Sequence, residues 1–239
     1  MPLFSIVTPS FQQGRFIERT LLSVLQQTFT DWEYIICDGL STDETHQILE
    51  AYRNQPRLTI LQERDRGQSD AVNKGIMHTE GEIVGWLNSD DCYFPETLNR
   101  VAQIFRSHPH VQVVYGDADY VDVGDRPLEP YPTAPWSYER LKEECFLCQP
   151  AVFFRRELIQ RHGMLNPDLC YCLDYELWLR LGRHTEFYYL PEKLATSRMY
   201  GDNKTLGQRA IATMKSIKCL NSTLASFLTL GCCAMPASP

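Results

Sequence analysis

Apolar runs of strand length alternate with amphipathic, helix-length segments through the first half of the chain, and this alternation is its strongest constraint on fold. Residues 3–8, 33–37, 58–62 and 83–87 are rich in Ile, Val and Leu and short enough for buried strands. Residues 15–27, 43–52 and 69–79, between them, carry helical signals. In the first of these, Phe16, Ile17, Thr20, Leu21, Val24 and Leu25 fall on one helical face. In the second, Ser41 or Thr42 can cap the first turn, and Asp43 and Glu44 suit its positive end. Strand–helix–strand units in series close by right-handed crossovers and lay their strands parallel. The predicted fold class is therefore α/β, with a mainly parallel central sheet flanked by helices.

Composition narrows the function. A 239-residue chain that is 44% hydrophobic and 22% charged has the profile of a globular protein, which excludes disorder, collagen-like repeats and coiled coils. The net charge of −7 argues against nucleic acid as a partner, and it leaves any anionic substrate in need of local cations. The 9 cysteines are an odd number and do not suggest a secreted disulfide framework. No signal peptide precedes the first strand, so a cytoplasmic location is expected. Cys145-x-x-Cys148 followed by Cys170-x-Cys172 fits the spacing of structural zinc poorly, and buried or incidental thiols are the preferred reading.

In open α/β sheets, ligands bind beyond the carboxyl ends of the strands. Here those positions hold Thr8-Pro9-Ser10-Phe11, Asp38-Gly39-Leu40-Ser41-Thr42-Asp43, the segment from Glu63 to Asp70, and Asn88-Ser89-Asp90-Asp91. One rim gathers Asp38, Asp70, Asp90 and Asp91. Any one Asp in a turn is unremarkable. A cluster of them can hold Mg²⁺ or Mn²⁺, which takes one or two carboxylates plus phosphate oxygens and water. Arg64, Arg66 and Lys74 stand beside them in the sequence. The phosphate loops of dinucleotide-binding oxidoreductases, P-loop enzymes and kinases are absent, as is the Gly-x-Ser-x-Gly elbow of hydrolases.

Four motifs in order then resemble the glycosyltransferase family 2 domain, of GT-A fold, over roughly residues 3–200. They are Ser5-Ile6-Val7-Thr8-Pro9-Ser10-Phe11, Asp38-Gly39-x-Ser41-Thr42-Asp43, the run from Asp65 to Gly75 with Gln68, Ser69, Asp70, Asn73 and Lys74, and Gly81-Glu82-Ile83-x-Gly85-Trp86-Leu87-Asn88-Ser89-Asp90-Asp91. The resemblance implies an inverting transferase that moves a sugar from a nucleotide-diphosphate donor, usually a UDP-sugar, to an acceptor hydroxyl. It also implies a place in polysaccharide or cell-envelope glycan synthesis. By the same resemblance Thr8, Pro9 and Ser10 support the nucleoside and Asp38 bonds the base edge. Arg66, Gly67, Ser69, Asp70 and Asn73 line the ribose and diphosphate. Asn88 and Ser89 complete the nucleotide site. Asp90, supported by Asp91, is the expected ligand of the divalent cation, Mn²⁺ or Mg²⁺. Asn88 stands where the family has the first Asp of Asp-x-Asp; it keeps an acceptor oxygen but loses a charge.

In the second half, residues 111–115 and 120–123 read as strands joined by a turn at 116–119, which carries Asp117 and Asp119. A Pro-rich extended loop follows, with Pro127, Pro130, Pro132 and Pro135. Residues 148–155 read as a polar turn and a strand, and residues 173–181 as a helix opening on Asp174. A Glu-Asp pair at such a helix start supplies the base that deprotonates the acceptor in the family. Leu173 replaces the Glu, so Asp174 is the expected catalytic base, with plain helix capping as the alternative. Gln149 is placed on the acceptor side. Trp86 and Trp178 sit in apolar patterns and read as core.

The expected layout is a catalytic domain over residues 1–218, with a nucleotide-binding half near 1–115 and an acceptor half near 116–200. An uncharged tail follows over residues 219–239. That tail falls short of a membrane span; contact with the inner face of the membrane is its minority reading. The expected partners are a nucleotide sugar and a saccharide, lipid-linked or other hydroxyl acceptor. A nucleotidyltransferase and a non-catalytic nucleotide-sugar-binding domain are the rival functions.

Overall fold

The computed structural model describes residues 1–201, so the expected tail at 219–239 lies outside the described residues. The first strand, β1 (Phe4–Ser10), is buried at every position, as a central strand covered on both faces must be. Helix α1 (Ile17–Leu25) follows, then β2 (Trp32–Asp38), α2 (Thr45–Tyr52), β3 (Leu58–Gln62), α3 (Gln68–Met77) and β4 (Ile83–Trp86). All seven elements expected in this half are present, with ends shifted by a few residues. β1 pairs in parallel with β2 and β4, and β2 with β3.

The second half adds β5 (Cys92–Tyr93), α4 (Thr97–Ser107), β6 (Val113–Val121), β7 (Pro127–Pro130), α5 (Tyr138–Glu143), β8 (Val152–Arg155), α6 (Arg156–His162), α7 (Leu173–Gly182) and β9 (Phe187–Arg198). Among the described residues the sheet has nine strands, ordered β3-β2-β1-β4-β8-β6-β9-β5, with β7 paired to β6. β8 enters antiparallel between β4 and β6, while β6 and β9 run parallel.

Strand side chains alternate between two cores, as period-2 geometry requires. Phe4, Ile6, Ile83, Val114 and Phe153 pack with α1, α2 and α4 on one face. Val7, Val84, Trp86, Val113, Tyr115 and Phe154 pack with α3, α5, α6 and α7 on the other. The result is a three-layer α/β sandwich.

Two expectations need correction. The turn read at residues 116–119 does not exist: β6 runs through it, with its pairing to β9 shifting register between Gly116 and Ala118. Asp117 accepts a hydrogen bond from the Tyr189 hydroxyl at 2.7 Å, and Asp119 pairs with Lys193 at 2.6 Å, so β9 supplies the partners that make these residues tolerable in a strand. The Pro-rich stretch is not all loop, because Pro127–Pro130 forms β7. It lies at the sheet margin, where proline is accommodated. Trp86 and Trp178 are core, at 2% and 0% exposure.

Candidate active site

A cleft of about 670 Å³ opens beyond the carboxyl ends of β1 and β4. Of the residues expected to bind, Pro9, Ser10, Gly67, Asn88, Ser89, Asp90, Asp91, Gln149 and Asp174 line it. The β1 loop contributes Phe11, which is 59% exposed at the cleft wall. A ring so exposed leaves a face on which a planar group can stack. Its motif was visible in the sequence, but its exposure was not.

Several expected ligands instead build the wall behind the cleft. Thr8 is fully buried and shares a hydrogen bond with the Tyr34 hydroxyl at 3.0 Å. Asp38, 1% exposed, accepts from the Ser41 hydroxyl at 2.6 Å and the Ser41 amide at 3.1 Å, closing the turn after β2. Gly67, which does line the cleft, caps α3 at φ 122°, a conformation that only glycine adopts cheaply. Asp70 reaches back from the first turn of α3 to the Arg66 amide at 3.0 Å. Burial raises the Asp70 carboxyl, but the Arg66 amide and guanidinium together with Lys74 outweigh it and hold the group below its usual range. The Asn73 side-chain amide donates to the Leu165 carbonyl at 2.8 Å and accepts from the Leu165 amide at 3.0 Å. Ser69 donates to the Leu169 carbonyl at 3.3 Å. Ser69 and Asn73 thus brace the segment leading to α7 rather than project into the cleft.

At the end of β4, the Asn88–Asp91 turn departs from expectation at two positions. The Asn88 carbonyl oxygen already accepts from the Trp86 indole at 3.0 Å and from Gln68 at 2.7 Å, so it is not presented to a ribose or a metal-bound water. Asp91 is 4% exposed and accepts from the Arg198 amide at 2.9 Å. Burial, and then the neighbouring Asp90 charge, push its carboxyl well above the usual range. A carboxyl so placed serves the turn itself, tying it to the end of β9 through the Arg198 amide. Asp90 is half-buried in the cleft, with one carboxylate oxygen accepting from the Tyr200 hydroxyl at 2.9 Å. Arg198 braces this turn from behind: its guanidinium donates to the Asp90 carbonyl at 2.8 Å and the Asp122 carbonyl at 2.7 Å, and pairs with Asp125.

Asp174 lies within the first turn of α7, not at its cap. The cap position is Cys172, held in the left-handed region at φ 57°. Strain at a non-glycine residue of this kind concentrates at functional sites. Burial raises the Asp174 carboxyl above the usual range, with the amides of Tyr175 and Asp174 itself pulling the other way. A half-buried carboxyl with a raised pKa at a cleft wall suits proton abstraction.

The charge of the cleft is decisive. Asp65, Asp90, Asp91 and Asp174 line it, and among the described lining residues Arg198 is the only cation. Arg66 pairs with Asp70 at 3.4 Å, and Lys74 contacts Glu63 and Asp70 at 3.3 and 3.6 Å, so both lie outside the cleft lining. No group of three or more metal-ligating side chains forms among the described residues. A divalent cation shared with phosphate oxygens needs only one or two carboxylates, and Asp90 meets that requirement.

The mixed α/β sheet, with its cleft beyond the β1 and β4 ends, has the GT-A architecture. The sequence profile of Glycosyl transferase family 2 matches residues 5–163, and the chain belongs to that family. It is 28% identical over 226 residues to a chondroitin synthase of Escherichia coli, covering 94% of this chain and 33% of that protein. A PGL/p-HBAD biosynthesis glycosyltransferase of Mycobacterium bovis is 31% identical over 182 residues, covering 75% of this chain and 69% of the relative. Among solved structures, S. aureus TarS 1–349 in complex with UDP-GlcNAc shares the fold at a TM-score of 0.72 and 22% identity, covering 86% of this chain and 60% of that one. The chain thus spans about a third of the synthase and three fifths of the TarS fragment.

Proposed function

We propose that the chain transfers a sugar, with inversion, from a UDP-sugar to an acceptor hydroxyl in the synthesis of a polysaccharide or cell-envelope glycan. The observation that carries this reading is one cleft lined by Asp174, its carboxyl raised by burial, and by Asp90, a carboxylate suited to a cation. Phe11 stacks on the nucleobase, and Pro9 and Ser10 support the nucleoside. Asp174 takes the proton from the acceptor hydroxyl as that hydroxyl's oxygen attacks the anomeric carbon and the bond from that carbon to the UDP oxygen breaks, a role that contributes about 10² to 10⁴ in rate. Asp90 would hold Mn²⁺ or Mg²⁺, which would supply neutralising charge for the leaving diphosphate. In a cleft lined by carboxylates such a cation would favour binding of the diphosphate. Residues near 1–115 form the donor half and residues near 116–200 the acceptor half.

Calorimetric titration with UDP, with and without Mn²⁺, tests the donor site. Mn²⁺ should strengthen UDP binding, and Asp90→Ala should abolish that increment. Failure of the wild-type chain to bind any nucleoside diphosphate would refute the reading. No helix among the described residues is long and apolar enough to cross a membrane. A cytoplasmic site of action, at or near the inner face of the membrane, remains part of the proposal because nucleotide sugars are the donors.

A further inference from the structure

Asn88 belongs to a closed ring of hydrogen bonds with a defined direction. The Trp86 indole N–H donates to Asn88 Oδ1 at 3.0 Å. Asn88 Nδ2 donates to Gln149 Oε1 at 2.7 Å and, more distantly, to Asp91 at 3.4 Å. Gln149 Nε2 closes the ring by donating to the Trp86 backbone carbonyl at 2.5 Å. An indole nitrogen only donates and a backbone carbonyl only accepts. The two ends of Trp86 therefore dictate the orientation of both amides. Trp86 is 2% exposed and Gln149 8%, so neither can exchange a partner for water cheaply.

This ring excludes the carboxylate that the family carries at position 88. A carboxylate there would set two acceptors face to face at Gln149 Oε1. Reversing the Gln149 amide relieves that contact but turns Oε1 against the Trp86 carbonyl. An amide is the side chain that satisfies every member at once. The ring also ties the turn after β4 to the 3₁₀ turn Gln149–Ala151, 61 residues further on.

We infer that Asn88 and Gln149 are positioning residues: their ring on Trp86 fixes the Asn88–Asp91 turn so that Asp90 presents its carboxylate to the cation of the donor. Gln149 thereby acts through Asn88 and is not an acceptor-binding group. The proposal rests on the donor-site reading above for the identity of the cation, but the ring can be tested by itself.

The first test is Q149E, followed by thermal unfolding across pH beside wild type and Q149L. In Q149E the introduced carboxyl can donate to the Trp86 carbonyl only while protonated, and burial raises its pKa. Q149E should match wild type at acid pH and fall progressively behind as the pH climbs through that raised value. Q149L should lag at every pH. A Q149E-minus-wild-type difference that is flat with pH overturns the ring. The second test is N88D, with Mn²⁺ uptake by the UDP-saturated protein read from the free-ion electron paramagnetic resonance signal. Loss of ring geometry should weaken Mn²⁺ binding by about 10- to 100-fold. Tighter binding would make position 88 a direct ligand site and overturn the assignment. Wild-type protein that takes up neither UDP nor Mn²⁺ would refute the donor reading and its cation, while the Q149E curve still decides the ring.

Discussion

Replacing Arg198 by methionine should destabilise the protein and disable its donor site together. The guanidinium is completely buried and donates to the carbonyls of Asp90 and Asp122. It also lies 5.0 Å from the Phe16 ring centre. Methionine retains most of the aliphatic volume, so the loss is chiefly polar. Each orphaned carbonyl costs about 1–3 kcal/mol, the lower end applying because both are only partly buried. The cation–π contact adds about 0.5–1 kcal/mol. The Asp125 pair adds little, since that carboxylate is 44% exposed and screened. The sum is about 3 kcal/mol, which for a chain of this size lowers Tm by roughly 6–12 °C. Scanning calorimetry reads the shift, and UDP–Mn²⁺ titration reads the donor site. Arg198→Lys should recover charge but not the fork that reaches both carbonyls. A methionine variant within about 2 °C of wild type, a loss below about 1 kcal/mol, would refute the reasoning.

Three other outcomes are expected. The Asp174 carboxyl is raised by burial, so the folded state prefers it protonated and loses stability as pH rises through that raised value. Asp174→Asn, which never ionises, should unfold at a higher temperature than wild type at neutral pH, with the gap closing below the ordinary carboxylate range. Phe11→Ala should weaken UDP binding by about 1–3 kcal/mol, the worth of one base stack, and leave Tm nearly unchanged because the ring is exposed. Asn73→Ala removes both hydrogen bonds to Leu165 and should cost about 2 kcal/mol by chemical denaturation.

The donor half was legible because its signals are local. Buried parallel strands are continuous apolar runs, and each turn beyond them carries its own motif. What escaped sequence reading depends on partners far along the chain. Gly116, Asp117 and Asp119 look like a turn until β9 is placed beside them. There the glycine makes room for Leu194, whose Cδ1 would lie 2.5 Å from any added Cβ, while Tyr189 and Lys193 satisfy the two carboxylates. Asp91, read as support for Asp90 at the metal, is also held by the Arg198 amide, 107 residues away. Likewise Asn88 reads as a nucleotide-site acceptor, for a ribose hydroxyl or a metal-bound water. The Trp86 and Gln149 contacts show it to be an amide held by its neighbours. Asp174 was located correctly on its helix, but the raised carboxyl arises from packing that no spacing encodes.

Release of UDP from UDP-GlcNAc and UDP-glucose in the presence of Mn²⁺ and candidate hydroxyl acceptors, measured for wild type and Asp174→Asn with donor binding followed in parallel, tests the central claim most directly. The account predicts donor binding that is nearly unchanged in the variant and turnover reduced by about 10² to 10⁴. Turnover at the wild-type rate by Asp174→Asn would contradict it.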